Sequence, residues 1–191
     1  MAKGSTMRVR CTLQIAIGTA LVAASCLLAW AAPAFEPLHD GFDVAADQGH
    51  ARAQFNVGNM YDIGQGVPEN DAEAVKWYRK TAEQGNSDAQ NILGIMYNNG
   101  NGVRQDYAEA VKWYRKAADQ GDVEAQFSLG LMYDLGQGVP ENDVQAYKWF
   151  NLAAAKGQAG AKESKAIVEK RMTREQIAEA QKLSAEWKPT K

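Results

Sequence analysis

An all-α solenoid of antiparallel helix pairs is the fold class predicted by this sequence of 191 residues. Two observations carry the prediction. Trp77, Trp113 and Trp149 follow one another at intervals of 36 residues inside blocks that resemble each other along their whole length, and a period of that size marks stacked repeats. Within each block two stretches carry apolar residues at helical spacing and end on Gly, so each block reads as one helix pair. Such units bury their apolar faces on their neighbours, so the chain is read as one continuous array.

The amino terminus reads as a secretory signal peptide over residues 1–34. Lys3, Arg8 and Arg10 precede an apolar run from Leu13 to Trp30, followed by small residues around Pro33 that suit cleavage after Ala34. The alternative is an uncleaved anchor in the inner membrane, because the run approaches the roughly 20 residues that cross a bilayer. A lipid anchor on Cys26 lacks the large apolar residue expected three positions before the Cys. Both cysteines, Cys11 and Cys26, lie in this segment, so a cleaved chain has no thiol or disulfide. The expected location is periplasmic or secreted.

Charge is uneven along the remainder. Residues 35–157 balance to −8 and residues 158–191 to +3. An acidic array argues against nucleic acid, whose affinity comes from Lys and Arg neutralising phosphates. The basic tail reads as a solvated helix face.

Residues 35–49 end in a stretch parallel to Tyr114–Gly121 and are taken as the second helix of a partial first unit. Complete units follow at 50–85, 86–121 and 122–157. In the first helix of the middle unit Ala89, Leu93, Met96 and Tyr97 form one stripe, and Gly94 admits a close neighbour. Gly64, Gly100 and Gly136 stop the first helices. Asn70, Asp106 and Asn142 are expected to cap the second helices in a capping box with Glu73, Glu109 and Gln145. Ala110, Trp113 or Tyr114, Ala117 and Ala118 then line the buried side, and Gly121 ends the unit. Residues 158–191 read as a degenerate half repeat and a capping helix. In that helix Thr173 and Gln176 form a box, Met172 staples onto Ile177, and Ile177, Ala180, Leu183 and Trp187 face the last repeat.

The Gly and Tyr of helix one, the Gly-x-Gly-Val loop, Ala-x-Lys-Trp-Tyr in helix two and the closing Ala-Ala-x-x-Gly resemble the Sel-one-like repeat, a longer-looped relative of the tetratricopeptide repeat. The resemblance implies a right-handed superhelix of helix pairs. It also implies an adaptor role, often in the bacterial envelope. By the likeness to tetratricopeptide arrays, first-helix residues line a concave groove. Here these are Arg52, Phe55, Asn59 and Asp62, then Asp88, Asn91, Ile95 and Asn98, then Glu124, Phe127, Leu131 and Asp134. Their common spacing puts each set on one helix face, opposite the Ala-Gly-Tyr stripe. Apolar side chains beside carboxylates and amides suit an extended or helical segment of another envelope protein.

Chemistry finds little footing in the sequence. Gly100-Asn101-Gly102 follows a helix and has no Lys-Ser/Thr, so it is read as a turn and not as a phosphate loop. His39 and His50 are the only histidines and have no metal-ligand spacing, so neither a metal nor a His-based triad is expected. Ser87, Ser128, Ser164 and Ser184 lack a Lys three residues on. Some cysteine-rich relatives are described as penicillin-binding, which leaves a cell-wall or β-lactam hydrolase as the alternative function. The expectation is a protein with no catalytic residues, cofactor or small-molecule substrate, touching membrane only through an uncleaved signal segment.

Overall fold

The computed structural model describes residues 46 and 48–190. The expected signal peptide over residues 1–34 and nearly all of the expected partial unit over 35–49 lie outside the described residues.

Among the described residues eight helices follow one another: α1 (Ala51–Ile63), α2 (Asp71–Glu83), α3 (Ser87–Asn99), α4 (Tyr107–Asp119), α5 (Val123–Leu135), α6 (Asp143–Ala155), α7 (Ala159–Glu169) and α8 (Arg174–Glu186). Helices α1/α2, α3/α4 and α5/α6 are the three pairs, and α7 stacks on α6. First helices α3, α5 and α7 also touch in succession, whereas no two second helices pack to that extent. The array is therefore tighter on its first-helix side.

Each pair closes over a glycine. A Cβ on Gly58, Gly94 or Gly130 would lie 2.8, 2.5 or 2.6 Å from the ring of Tyr78, Tyr114 or Phe150. The helix accepts the propensity penalty of Gly, about 1 kcal/mol against Ala, because any larger residue displaces that ring. The second Gly of Gly-x-Gly-Val serves the joint between units. A Cβ on Gly102 would run into the Asp71–Ala72 backbone, and one on Gly138 into Tyr107–Ala108. The loop thus packs backbone to backbone on the preceding unit, as a turn.

The caps differ from the expected boxes in one respect. Asn70, Asp106 and Asn142 accept from the amides of Glu73, Glu109 and Gln145. The reciprocal half is missing, because the cap amides already donate to the carbonyls of Tyr61, Tyr97 and Tyr133 at 2.8–2.9 Å. Glu73 and Glu109 turn instead to Lys76 and Lys112. The Thr173–Gln176 box forms in full, since nothing else claims the Thr173 amide.

Helix α8 packs along α6, the second helix of the last complete unit, rather than pairing with α7. Ser184 Oγ donates to the Lys148 carbonyl and Gln181 Nε2 to the Tyr147 hydroxyl, both at 3.4 Å. Beyond it Trp187 meets Trp149 edge to face at 6.4 Å, and the Thr190 amide donates to the Asp119 carbonyl at 2.8 Å. The terminus is a strap over α6 that reaches the end of α4. Under it burial raises the Asp119 pKa, with Lys148, Arg115 and a hydrogen bond from the Trp187 indole opposing the shift.

Two stability outcomes follow. Gly85 and Gly102 both have positive φ, but only Gly102 meets a neighbour. Urea unfolding followed by circular dichroism should show Gly85→Ala losing about 1 kcal/mol and Gly102→Ala about 1–3 kcal/mol more; equal losses would mean that the loop yields freely. Trp187→Ala should lower stability by about 2 kcal/mol and speed hydrogen exchange in α8 while sparing α1 and α2.

Candidate functional site

Each first helix exposes what pairing does not consume. The twelve positions expected to line the groove fall into four rows that step along the array. The row nearest the helix starts, Arg52, Asp88 and Glu124, is exposed, with Gln158 Nε2 at 3.5 Å from Glu124 Oε2. The next row, Phe55, Asn91 and Phe127, is half-buried. Phe55 and Phe127 pack with ring centroids 5.7 Å from Tyr78 and Phe150, so most of their surface belongs to the interior. Asn91 takes the same place with an amide whose Oδ1 is buried and has no partner.

In the third row Ile95 is 40 % exposed, while Leu131 packs on the cluster around Tyr147 and Phe150. Asn59 receives the Tyr78 hydroxyl at 2.7 Å. In the fourth row Asp62 lies 3.2 Å from the same hydroxyl, Asn98 Nδ2 donates to Asn99 Oδ1 at 3.0 Å, and Asp134 binds Arg171. Burial first and the Asp62 carboxylate second raise the pKa of Tyr78, which keeps its proton on the phenol as a donor. Burial pushes Tyr114 up to about 12, opposed by a hydrogen bond with Ser128.

The rows therefore share one face, but their accessible part is narrower than the spacing suggested. Arg52, Asp88, Glu124 and Ile95 are open, and the phenylalanines serve mainly as packing. Two surface hollows among the described residues lie along the loops. One of about 700 Å³ is lined by Tyr97, Val103, Arg104, Gln105, Asp106 and Glu109, and one of about 560 Å³ by Glu141 to Gln145 with Gln176 and Glu179. Among the described residues no three His, Cys, Asp or Glu side chains come together as a metal site. No helix among them is long and apolar enough to cross a membrane.

Sequence reasoning missed three residues on the loop rim. Ile63 and Leu135, at the ends of α1 and α5, are 64 % and 61 % exposed. Arg171, counted only as part of a basic tail, clasps Asp134 and lies 2.7 Å from Asp143. Those two carboxylates raise its pKa, Asp143 first. The findable signal is internal identity: Met60–Asp71 and Met132–Asp143 match at every position except Ile63/Leu135.

Comparison with known families matches the Sel1 repeat at residues 51–86, 87–122 and 123–158, one residue later than units closed on their final Gly. Similar solved structures include a protective antigen present in uropathogenic Escherichia coli strains that displays an SLR fold, at 40 % identity and TM-score 0.68 over 77 % of this chain. The chain spans only 32 % of that protein. A Sel1 repeat protein from Oxalobacter formigenes is 41 % identical with TM-score 0.61, over 67 % of this chain and 96 % of its own. The cysteine-rich protein B of Helicobacter pylori is 25 % identical with TM-score 0.51, over 64 % and 93 %. No curated protein matches the chain significantly.

The clasp on Arg171 yields a measurable expectation. Arg171→Gln leaves two neighbouring carboxylates without their cation, and the Arg171 side chain is 40 % exposed. Thermal unfolding in low salt should register a loss of about 1 kcal/mol that shrinks in 1 M NaCl, as screening of exposed ion pairs requires. A loss independent of salt would point to packing instead.

Proposed function

The chain belongs to the Sel1 repeat family, whose members typically mediate protein–protein interaction, and on that premise we propose that it is a non-enzymatic interaction module of the bacterial envelope, binding a segment of another protein along its first-helix face. One contrast carries the reading. The letters common to all three units are spent on packing, including Ala89, Gly94 and Met96 in the middle unit, all buried. The letters that change between units include Arg52, Asp88, Ile95 and Glu124, which remain exposed on the first helices. An exposed Ile on a face that also presents Asp88 and Glu124 suits a segment with apolar anchors and positive charge. Export follows from the charged, apolar and small-residue order of residues 1–34.

The hydrolase alternative gains no support from the serines. Ser184 donates to the carbonyls of Ala180 and Lys148, and Ser128 pairs with the Tyr114 phenol. Neither is set beside a general base that would activate it.

A photo-crosslinking amino acid at position 95 should trap a protein from an envelope extract, whereas the same group at position 76 or 112, on second helices, should not. Ile95→Ser with Glu124→Gln should reduce capture at least about fivefold. Equal trapping from both faces would remove the first-helix face as the binding surface.

A further inference from the structure

Resting on that reading, we propose that Asp62 and Asp71 together form a receptor for an arginine side chain carried by a partner protein. The argument begins from two blocks of the chain itself. Met60–Asp71 and Met132–Asp143 are the same sequence apart from Ile63/Leu135, and Asp62 and Asp71 correspond to Asp134 and Asp143. The two blocks share one backbone bond, although Gly102 of the next unit covers the Asp71 backbone and the Tyr78 phenol, a Phe in unit three, reaches Asp62. The Asn70 amide donates to the Tyr61 carbonyl at 2.8 Å, and the Asn142 amide to the Tyr133 carbonyl at 2.9 Å. These bonds join the residues that precede each Asp, so both pairs of carboxylates are presented at matching spacing.

The third unit shows what such a pair accepts. Arg171, from the turn between α7 and α8, places its guanidinium on both carboxylates: Nε donates to Asp143 Oδ1 at 2.7 Å, and Nη2 binds Asp134 and lies 2.7 Å from Asp143. A planar fork of donors matched to two carboxylates is the recognition for which arginine is suited over lysine. In the first unit no cation is seated on the pair among the described residues. Asp62 takes only the Tyr78 phenol, and both carboxylates are half-buried, as their counterparts are. Beside them Ile63 stands 64 % exposed, so the site joins an acidic clasp to an aliphatic surface.

The second unit provides the control. It carries Asn98 and Tyr107 at these positions and folds with the same bond, Asp106 amide to Tyr97 carbonyl at 2.9 Å. The scaffold therefore does not require the two carboxylates, and their presence in the first unit calls for another cause. A metal site is a poor alternative, since no third ligand stands nearby among the described residues. The occupant is an arginine on a segment of another protein, lying where the first-helix face meets the loop rim.

The test uses the full chain and a labelled peptide with the sequence of residues 168–174, which carries Arg171 and Met172. Fluorescence anisotropy in low salt should show binding that weakens on the order of tenfold in the Asp62→Asn/Asp71→Asn chain. It should weaken by a similar factor when the peptide carries Arg171→Gln, although its Arg174 remains. The Arg171→Gln chain, which vacates the third unit's clasp, should raise the peptide stoichiometry from one to two. Circular dichroism checks that each variant is folded. Several results would overturn the proposal: no binding to wild type, equal binding to the Asp62→Asn/Asp71→Asn chain, or stoichiometry unchanged in the Arg171→Gln chain. Amide shifts at Ile63 and Asp71 caused by calcium chloride alone would overturn it as well, in favour of a cation site. Crosslinking at position 95 is independent of these carboxylates, so its persistence after any such failure would leave the broader interaction reading intact.

Discussion

The array depends on one buried side chain at each joint. Gln54, Gln90 and Gln126 are almost wholly inaccessible, and each donates through Nε2 to a carbonyl that precedes its unit: that of Ala46, then those of Ala82 and Ala118 in the last turns of α2 and α4, at 2.9, 2.9 and 3.2 Å. Those carbonyls are among the acceptors a helix end leaves without an internal partner. A buried amide satisfied at one end still needs the other, because an unmet buried acceptor costs about 1–3 kcal/mol. Gln84 and Gln120 meet that need, donating to Gln54 and Gln90 Oε1 at 2.6 and 2.7 Å. The joint thus fixes the first helix of one unit against the end of the last, and the Gly102 and Gly138 contacts close the other side of the same interface.

The failure of this joint marks the end of the repeat. Lys156 stands where Gln84 and Gln120 stood, so Gln126 Oε1 is left buried without a partner. Lys156 instead donates to the Gly121 carbonyl at 2.7 Å and lies over the Trp187 ring at 5.7 Å. Lys162 then occupies the next glutamine position, and the ladder stops. The strap begins where the periodic bond is lost. Trp149 Nε1, also buried without a partner, lies in the same unit. The third unit gives up polar satisfaction to gain apolar cover from α8 and Trp187, which suits a terminal repeat that must otherwise face water.

What the sequence made legible is whatever recurs. The helix pairs, the Gly beneath each aromatic ring and the capping Asn or Asp were all readable, because three copies show which letters the fold demands. The reciprocal half of the capping box was misread for a physical reason: spacing of three identifies Glu73 as able to reach the Asn70 amide, but not that the Tyr61 carbonyl already holds it. The tail occurs once, so nothing periodic could place Arg171 on Asp134 and Asp143. Phe55 and Phe127 lie on the expected face, but the depth to which they are covered depends on Tyr78 and Phe150 across the pair, which helical spacing does not report.

The units are alike in different segments, and the difference separates packing from its residue. Units one and two share their second helix letter for letter over Ala72–Lys80 and Ala108–Lys116. In unit three that stretch becomes Val144–Leu152, and α7 and the strap account for three of the changes. Tyr147 receives Gln181, Leu152 and Trp187 cover the same apolar cluster, and Asn151 accepts from Lys165 where Arg79 and Arg115 reach Tyr97 and Tyr133. Units one and three share instead Met60–Asp71 and Met132–Asp143, which unit two replaces without loss of its fold. Packing explains the first pattern and not the second. Of the letters common to those two blocks, Met, Tyr, the glycines and Val serve the joint and recur in unit two; Gln65, Pro68, Glu69 and Asn70 do not recur, and neither do Asp62 and Asp71, the two whose counterparts hold an arginine. In unit three the chain's own arginine uses those carboxylates, so in unit one the same pair has a defined chemistry and no internal occupant among the described residues.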